Sequence, residues 1–333
     1  MTSNGSMQAA LVDAPGTVFL LATVPRPSPQ KGQVLVRVGA SGVNPLDLKI
    51  RSGEGAHARH PLPAILGIDM AGIVESVGPG VSAFAEGDSV YGMTGGVGGV
   101  QGSLAEYAAV DAALLAHKPV TLSLRDAASL PLVFITAWEG LVDRAHVQAG
   151  QTVLVQGGAG GVGRMAIQIA RAFGATVHAT VGASRAASVK SLGAIAIDSQ
   201  TGIDDYVAAH TGGRGFDVVY DTAGGASLDA SFKAVARFGH VVSALGWGTH
   251  ALAPLSFRAA TYSGVFTLLP LLSGEGRARH GEIMKEASAL IDAGLLRVQV
   301  DSRRFDLGTV EAAHALVTSG HALGKVVVDI ASH

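Results

Sequence analysis

The pattern of hydrophobic and polar positions divides the chain into two regions. From residue 7 to about residue 120, short strand-like runs are separated by Gly and Pro: QAALV, QVLVRVGASGV, AGIVESVGPGV, GDSVYG and SLAEYAAV. After Leu124, β-branched runs alternate with segments of helical spacing: TVLVQ, TVHATV, AIAI, FDVVYDTA, HVVSALG and SGVFTLL. Such βαβ alternation predicts a parallel sheet with helices on both faces.

The length and this change of pattern predict two domains in an α/β protein. A chain of 333 residues exceeds one ordinary hydrophobic core. We assign residues 1–122 to a mostly β domain and residues 123–270 to a doubly wound parallel-sheet domain. The helix-like EIMKEASALIDAG and the strand-like GKVVVDI then place residues 271–333 back in the first domain.

Composition excludes several classes of function. The chain is 48% hydrophobic and 15% charged, as globular proteins are, and its net charge of −2 comes without the basic runs that nucleic acid or anionic lipid would require. No apolar run reaches the ~18 residues of a membrane span. The absence of Cys excludes disulfides, thiolate metal sites and a Cys nucleophile. The N-terminus lacks the features of a signal peptide, so we expect a cytoplasmic protein.

A glycine-rich turn carries the strongest chemical signal. TVLVQ is followed by Gly-x-Gly-x-x-Gly and at once by an amphipathic helical pattern, which is the context of a dinucleotide-binding turn. Its first glycine permits a tight turn, its second lets N–H groups approach a diphosphate, and its third packs the helix on the strand. The predicted cofactor contacts are Gly158, Gly160, Gly161, Val162 and Gly163.

The residues beyond this turn favour NADPH over NADH. Enzymes that prefer NAD usually carry Asp or Glu about 20 residues further on, but no acidic residue lies between Asp143 and Asp198. The chain instead offers Gly182, Ser184 and Arg185, and a guanidinium with a hydroxyl can hold a 2′-phosphate. The alternative is that Arg185 only begins a solvated helix face.

Several blocks together resemble the zinc-free quinone oxidoreductases, or zeta-crystallin-like proteins, of the medium-chain dehydrogenase/reductase superfamily. They are GVNPLDLKIRSG, PAILGIDMAGIVESVG, GDSVYGM, GSLAEYAAV, FITAWEGL, the glycine turn and FDVVYDTAGG. The resemblance implies a GroES-like catalytic domain formed from both chain ends, and a Rossmann domain inserted between them. It also implies a cofactor bound in the cleft between the two domains, and with the residues beyond the turn we expect this cofactor to be NADP(H).

The resemblance also indicates that the catalytic zinc of related alcohol dehydrogenases is missing. Those enzymes have Cys where this chain has Asn44, and His-Glu where it has Ile68 and Asp69. An amide and an alkyl group cannot replace a thiolate and an imidazole, so we expect no zinc and no oxidation of simple alcohols. His57 and His60 lie in a loop-like segment without a carboxylate in register, and we assign them no metal.

The expected reaction is hydride transfer from NADPH to a small conjugated carbonyl acceptor. A quinone is the first hypothesis, and reduction of an enone or enal is its close alternative. A noncatalytic NADPH-binding protein is a further alternative. Asp47 and Lys49 are the candidate proton donors if the protein supplies one, although an ordinary surface helix would explain both residues equally well.

Further cofactor contacts are implied by the resemblance alone. It places Asn44 and Thr136 near the nicotinamide riboside, and it places around the nicotinamide Ala244, Leu245, Gly246 and Phe266. Lys325 either contacts the cofactor or caps the last strand. Asn44 is also common before Pro in turns, and Thr136 can bond its own helix backbone. The apolar segment 261–272 is expected to form a sheet edge that pairs with a second copy, giving a homodimer.

Overall fold

The computed structural model describes residues 5–330 as fifteen strands and eleven α-helices. The strands, in chain order, are β1 (Ser6–Val12), β2 (Leu20–Pro25), β3 (Gln33–Gly42), β4 (Ala64–Ile65), β5 (Asp69–Val77), β6 (Ser89–Met93), β7 (Tyr107–Asp111), β8 (Leu115–His117), β9 (Thr152–Gln156), β10 (Thr176–Val181), β11 (Ile195–Asp198), β12 (Phe216–Asp221), β13 (Val235–Ser243), β14 (Thr261–Gly264) and β15 (Val327–Asp329).

The α-helices alternate with strands mainly in the second half of the chain. They are α1 (Pro45–Ser52), α2 (Leu124–Ala127), α3 (Pro131–Trp138), α4 (Gly161–Ala172), α5 (Ala186–Lys190), α6 (Ile203–Thr211), α7 (Ala226–Ala234), α8 (Ala253–Ser256), α9 (Leu269–Ser273), α10 (Arg277–Asp292) and α11 (Val310–Ser319). Helix α3 continues into a π-helical turn, Glu139–Arg144.

Residues 5–132 and 268–330 form one compact unit, here called the β-rich unit. Its larger sheet has the order β15-β3-β5-β6-β8, with β7 also paired to β3, and a three-stranded sheet has the order β2-β1-β4. The pairings are antiparallel. The inward positions of the larger sheet are filled by β-branched and other apolar side chains, among them Val36, Val38, Met70 and Val90. This alternation explains why the sequence predicts these strands.

Residues 133–267 form the second compact unit, here called the parallel-sheet unit. Its six strands have the order β11-β10-β9-β12-β13-β14 and are all parallel. Chain order runs outward from β9 in one direction and then from β12 in the other, which defines a doubly wound, Rossmann-like sheet. The predicted α/β class, with one mostly β unit and one doubly wound parallel-sheet unit, is confirmed.

One predicted element ends earlier than its apolar pattern indicated. The strand expected over SGVFTLL stops at Gly264, and helix α9 begins at Leu269. Pro270 in the first turn of α9 favours a helix start and has no N–H for a sheet ladder, so the apolar run could not continue as a strand. The helix predicted over EIMKEASALIDAG is confirmed within α10, which begins at Arg277.

Within residues 5–330, no helix has both the length and the apolar character needed to cross a membrane.

Candidate functional site

The glycine-rich turn connects the end of β9 to the start of α4 and is tied to β10. Thr180 holds it twice, because its Oγ1 accepts from the N–H of Gly157 at 3.1 Å and its carbonyl accepts from the N–H of Gly158 at 3.0 Å. Gly157, which the motif analysis did not single out, is the residue with a left-handed backbone, at φ 77°. It therefore makes the tight turn that we had attributed to Gly158.

Two of the three motif glycines make close approaches that a side chain would prevent, and the third does not. A Cβ added to Gly158 would lie 2.7 Å from the Cβ of Ala179, so this glycine lets the turn pack on β10. A Cβ added to Gly163 would overlap the carbonyl oxygen of Gly157 and lie 2.9 Å from the Cα of Gly158. A Cβ on Gly160 would meet only the carbonyl oxygen of Gly157, at 3.5 Å. Gly160 is thus the motif glycine with open space in front of it.

Gly160 is also the N-cap of α4, so the first turn of that helix, with Gly161 and Val162, begins at this open space. The first N–H groups of a helix have no partner within it, and they carry the positive end of the helix dipole. This turn borders a pocket of about 760 Å³ at the carboxyl ends of β9, β10, β11 and β12. A pocket of this size falls in the range of small-molecule sites.

The residues that line this pocket are mostly small or polar. They are Gln156, Gly157, Ala159, Gly160, Thr180, Val181, Gly182, Ser184, Arg185, Asp198, Ser199, Thr201, Ile203, Tyr206, Thr222, Ala223, Ala226, Ser227 and Ala230. Four of them were predicted cofactor contacts: Gly160, Gly182, Ser184 and Arg185. Gly158 and Gly163 instead pack behind the turn. The residues that follow β11 and β12 were missed, although parallel strands place their carboxyl ends at one edge.

The end of β10 supplies a cation, while the end of β11 supplies a carboxylate. Gly182, Ser184 and the exposed Arg185 follow β10 directly. Asp198, the last residue of β11, lines the same pocket, and its Oδ1 accepts from the N–H of Gln200 at 3.0 Å. The pocket therefore contains a carboxylate as well as the cation that favours NADPH.

The other predicted nicotinamide contacts in the parallel-sheet unit do not line this pocket. Ala244, Leu245 and Gly246 follow β13 directly, and Phe266 meets Trp247 edge-on at 5.9 Å between ring centroids. Thr136 lies in α3, and its Oγ1 accepts from the hydroxyl of Thr267 at 3.1 Å.

A buried polar cluster occupies the β-rich unit at the start of α1. Asn44 is the N-cap of α1, and its Nδ2 donates to Asp69 Oδ2 at 2.9 Å. Lys325 Nζ donates to Asn44 Oδ1 at 2.5 Å and to the Val43 carbonyl at 3.1 Å, and it lies 3.7 Å from Asp69 Oδ2. The second oxygen of Asp69 accepts from the N–H of Leu132 at 2.8 Å. Every side-chain polar atom of Asn44 and Asp69 therefore has a partner within this unit.

Burial and charge act against each other in this cluster. Burial raises the pKa of Asp69 and lowers the pKa of Lys325, while the attraction between the two groups opposes both shifts. Asn44 and Asp69 are fully buried, and the side chain of Lys325 is 15% exposed. The pair remains together because each charge would cost far more alone in this environment.

Asp47 adds a second carboxyl group to the cluster. Its Oδ2 accepts from the N–H of Asn44 at 2.8 Å, whereas its Oδ1 is buried without a hydrogen-bond partner among the described residues. Burial, and to a lesser extent the charge of Asp69, raises the pKa of Asp47 to about 7. Lys49, the other predicted proton donor, points away from this environment, since it is exposed on α1. The two candidates therefore have different surroundings, and only Asp47 belongs to the cluster.

The donor atoms near Asn44 do not suit zinc. Asn44 already accepts from an ammonium group, Ile68 is a fully buried alkyl side chain, and Lys325 would repel a metal cation. His60 accepts from the N–H of Gly99 through Nδ1, at 3.3 Å. Over residues 5–330 no three His, Asp or Glu side chains are grouped closely enough to hold a metal ion.

Comparison with known proteins identifies the family. Residues 30–120 match the alcohol dehydrogenase GroES-like domain, and residues 192–328 match the zinc-binding dehydrogenase domain. The chain is 37% identical over 311 residues to the chloroplastic NADPH-dependent alkenal/one oxidoreductase of Arabidopsis thaliana, covering 91% of this chain and 73% of that relative.

Solved structures agree with this assignment. A crystal structure of an alcohol dehydrogenase superfamily protein from Novosphingobium aromaticivorans has 57% identity and a TM-score of 0.96, covering 98% of this chain and 100% of that one. A mycobacterial quinone oxidoreductase has 29% identity and a TM-score of 0.85, covering 97% of this chain and 100% of that one. The chain belongs to the medium-chain dehydrogenase/reductase family and is an oxidoreductase, which confirms the resemblance seen in its sequence.

Proposed function

We propose that this oxidoreductase uses NADP(H) to reduce a small conjugated carbonyl compound, either an enone or a quinone. The observation that carries the proposal is the pocket beside the glycine turn, where Ser184 and Arg185 follow β10 at the position that a carboxylate occupies in many NAD enzymes. The guanidinium and hydroxyl favour a 2′-phosphate. The negative charge of Asp198 opposes binding of a 2′-phosphate, but its Oδ1 already accepts a hydrogen bond from the N–H of Gln200.

The pocket fits a dinucleotide through its backbone. The open face of Gly160 leaves the first N–H groups of α4 accessible to a diphosphate, and the positive end of the helix dipole favours that anion. Bound NADPH supplies a hydride, and the protein residues bind and orient it. We assign diphosphate contact to Gly160, Gly161 and Val162, and phosphate contact to Ser184 and Arg185. Gly158 and Gly163 support the turn.

The acceptor class follows from the chemistry and from the relatives. Reduction of an enone places the hydride on the β-carbon and a proton on the α-carbon, while reduction of a quinone takes up a hydride and a proton to give a hydroquinone. The Arabidopsis relative is named for alkenals and enones and the mycobacterial one for quinones. The relative named for alkenals and enones has the higher identity, which favours an enone or enal over a quinone.

The polar cluster of the β-rich unit is proposed to take the place of a metal centre. Asn44, Asp69 and Lys325 form a hydrogen-bonded group whose donor set does not fit zinc. Asp47 is the carboxyl group of this cluster whose pKa is raised to about 7, so it can hold a proton near neutral pH on its unpartnered oxygen. We therefore propose Asp47 as the proton donor, and Lys49 is the weaker candidate.

A panel of acceptors tests this function. The purified protein is mixed with NADPH or NADH and with an enone, an enal, a quinone or a saturated ketone, and oxidation of the cofactor is followed by stopped-flow absorbance. We expect fast decay with NADPH and a conjugated acceptor, and product analysis showing either a saturated carbonyl or a hydroquinone. Bound metal is measured in the same sample.

Each outcome of the acceptor panel distinguishes one candidate function from the others. NADPH binding without acceptor-dependent decay would support a noncatalytic binding protein. Oxidation of simple alcohols with stoichiometric zinc would support a zinc alcohol dehydrogenase instead. A preference for NADH would contradict the role given to Arg185.

We also propose that the protein forms a homodimer through β14. This strand lies at the end of the sheet order, pairs with β13 on one side, and exposes Thr261 and Tyr262. An unpaired strand edge is a template for pairing with a second copy. The N–H of Val265 donates to the Ser243 carbonyl on β13, so the N–H groups of Tyr262 and Gly264, which alternate with it, face the free edge. Replacing Gly264 with Pro would remove one of these N–H groups and should produce a monomer in sedimentation measurements. A wild-type protein that sediments as a monomer would contradict the dimer.

A further inference from the structure

Asp221 is a fully buried carboxylate at the carboxyl end of β12, and all its hydrogen-bond donors are neutral groups. Its Oδ1 accepts from the N–H of Ala223 at 3.2 Å. The N–H of Gly224 lies 3.1 Å from both carboxylate oxygens. Its Oδ2 accepts from the hydroxyl of Ser243 at 2.7 Å. A carboxylate suits this place because it offers two oxygens with several acceptor positions and no donor of its own.

These bonds connect two loops that follow neighbouring strands. The first loop, residues 222–225, comes directly after β12, and its Thr222 and Ala223 line the pocket. The second loop begins after Ser243, the last residue of β13, and contains Ala244 and Leu245. Asp221 reaches the first loop through its carboxylate and the second through Ser243, so one side chain holds both.

Two further contacts join the end of β12 and its loop to the second loop, and a third holds the second loop on Ser243. The N–H of Ala244 donates to the carbonyl of Asp221 at 3.1 Å, and the N–H of Leu245 donates to the hydroxyl of Ser243 at 3.0 Å. Gly224 has φ 72°, and a Cβ added there would lie only 2.7 Å from the carbonyl oxygen of Leu245. The loops are therefore packed backbone against backbone, at a distance that only glycine allows.

We propose that Asp221 is a positioning residue of the dinucleotide site, which fixes the loop of residues 222–225 as one wall of the pocket before the cofactor binds. The inference rests on the proposed use of NADP(H). A loop held in its binding conformation loses little entropy when a ligand arrives, so the ties made by Asp221 strengthen binding without contacting the ligand. Hydrogen bonds to a charged acceptor are the strong ones, and two of those on Asp221 come from the wall loop itself.

The test compares binding of NADPH by variants at both ends of β12. Asp221→Ala should raise the Kd for NADPH, measured by fluorescence titration, by about tenfold, since it removes bonds to a charged acceptor. Ser243→Ala should raise it less. Because both variants interrupt the same connection, the double variant Asp221→Ala/Ser243→Ala should raise the Kd for NADPH by less than the product of the two single effects.

Asp217 provides a matched control at the amino end of the same strand. Its Oδ2 accepts from the N–H and from the hydroxyl of Thr152, both at 2.8 Å, so it also ties two strands together. Asp217→Asn should lower the melting temperature and leave the Kd for NADPH unchanged. A purely structural role of Asp221 would give the same result for Asp221→Asn, whereas a positioning role changes the Kd.

The outcomes separate this inference from the proposed function. Wild-type protein that binds NADPH, together with folded Asp221 and Ser243 variants of unchanged Kd, would overturn the positioning role alone. Wild-type protein that does not bind NADPH would overturn both. Should Asp221→Ala fail to fold, the Kd of Ser243→Ala decides, because that change leaves the carboxylate and its bonds to the first loop in place.

Discussion

The two units build their polar sites from different chemical groups. The pocket of the parallel-sheet unit is made largely of backbone and small residues, with Gly157 and Gly160 at its turn. The cluster of the β-rich unit is made of side chains, with Asn44, Asp69 and Lys325 each contributing a charge or an amide. Backbone N–H groups are present whatever the side chain is, but a buried charge depends on its partner. The first site should therefore tolerate many substitutions, and the second few.

The glycines of the turn are the exception to this tolerance, and they make the comparison testable. In the glycine turn, the lack of a side chain is what is required, as at Gly163. In the cluster they matter where their presence is required, as at Lys325. Removing a group from the cluster and adding a group to the turn should both be costly, for opposite reasons.

The largest effect is expected from Lys325→Met. The substitution removes the cation that lies 3.7 Å from Asp69 and leaves that carboxylate buried without it. Breaking a buried pair by removing one partner typically costs about 3–5 kcal/mol, so the free energy of unfolding in urea should fall by about that amount.

Lys49→Met is the matched control, because Lys49 carries the same charge on an exposed position of α1. Its effect should stay within about 0.5 kcal/mol. Adding Asp69→Asn to Lys325→Met should recover part of the loss. If Lys325→Met lost no more stability than Lys49→Met, the cluster would not depend on its partners as described.

The next effect is expected from Gly163→Ala. The added methyl group would overlap the carbonyl oxygen of Gly157, so the turn and α4 must move apart. Overpacking of this kind costs about 1–3 kcal/mol, measured as a loss of unfolding free energy.

Gly160→Ala separates steric from functional roles within the same turn. Its methyl group would meet only one atom, at 3.5 Å, so stability should fall only by the cost of an alanine N-cap, below about 1 kcal/mol. The same methyl group would stand in the open space where a diphosphate is proposed, so the Kd for NADPH should rise. Unaltered NADPH binding by Gly160→Ala would place the diphosphate elsewhere.

The same contrast explains what the sequence could predict. The parallel-sheet fold and the glycine turn follow from local patterns, because the period of the strands and the spacing of the glycines lie within one βαβ segment. The local pattern also gave a wrong strand prediction at residues 265–269, where an apolar run gave no sign that the strand ends at Gly264.

The cluster could not be predicted because its members are distant in the chain. Asn44, Asp69 and Lys325 come from a helix cap, the start of β5 and the segment before β15, and only the antiparallel pairing of β3 with β5 and β15 brings these segments together. Sequence placed Asn44 and Lys325 beside a cofactor by resemblance, but nothing in it indicated that they bond to each other. Asp221 was missed for the same reason, since Ser243 lies 22 residues away.

A smaller effect is expected from Arg185→Ala, on binding rather than stability. Arg185 is exposed, so the fold should not depend on it. Loss of one charge-assisted contact to a 2′-phosphate should raise the Kd for NADPH by about tenfold and leave the Kd for NADH unchanged. Asp198→Asn should change the ratio in the opposite direction, because it removes the pocket's carboxylate. Equal effects of Arg185→Ala on the two cofactors would contradict recognition of the phosphate.

The smallest expected effect, counted for each pH unit, is the change in unfolding free energy that the titration of Asp47 produces. Burial raises the pKa of Asp47 from 3.8 to about 7, so between these values the folded protein holds a proton that the unfolded chain has lost. The contribution of Asp47 to stability must then fall as pH rises, by on the order of 1 kcal/mol for each pH unit within that window. The contribution is complete below pH 3.8 and is lost once the pH exceeds about 7.

Asp47→Asn isolates this contribution from groups of the opposite sign. Burial lowers the pKa of His314 from 6.5 to about 3, so that histidine costs stability as pH falls through the same range. The asparagine amide oxygen can still accept from the N–H of Asn44, but it does not titrate. The difference in unfolding free energy between wild type and Asp47→Asn should therefore shift in favour of the variant as pH rises from 4 to 7, while His314 contributes equally to both. A difference that stays constant with pH would mean that Asp47 is already ionised in the folded protein, and it would remove the proton that the proposed function assigns to its unpartnered oxygen.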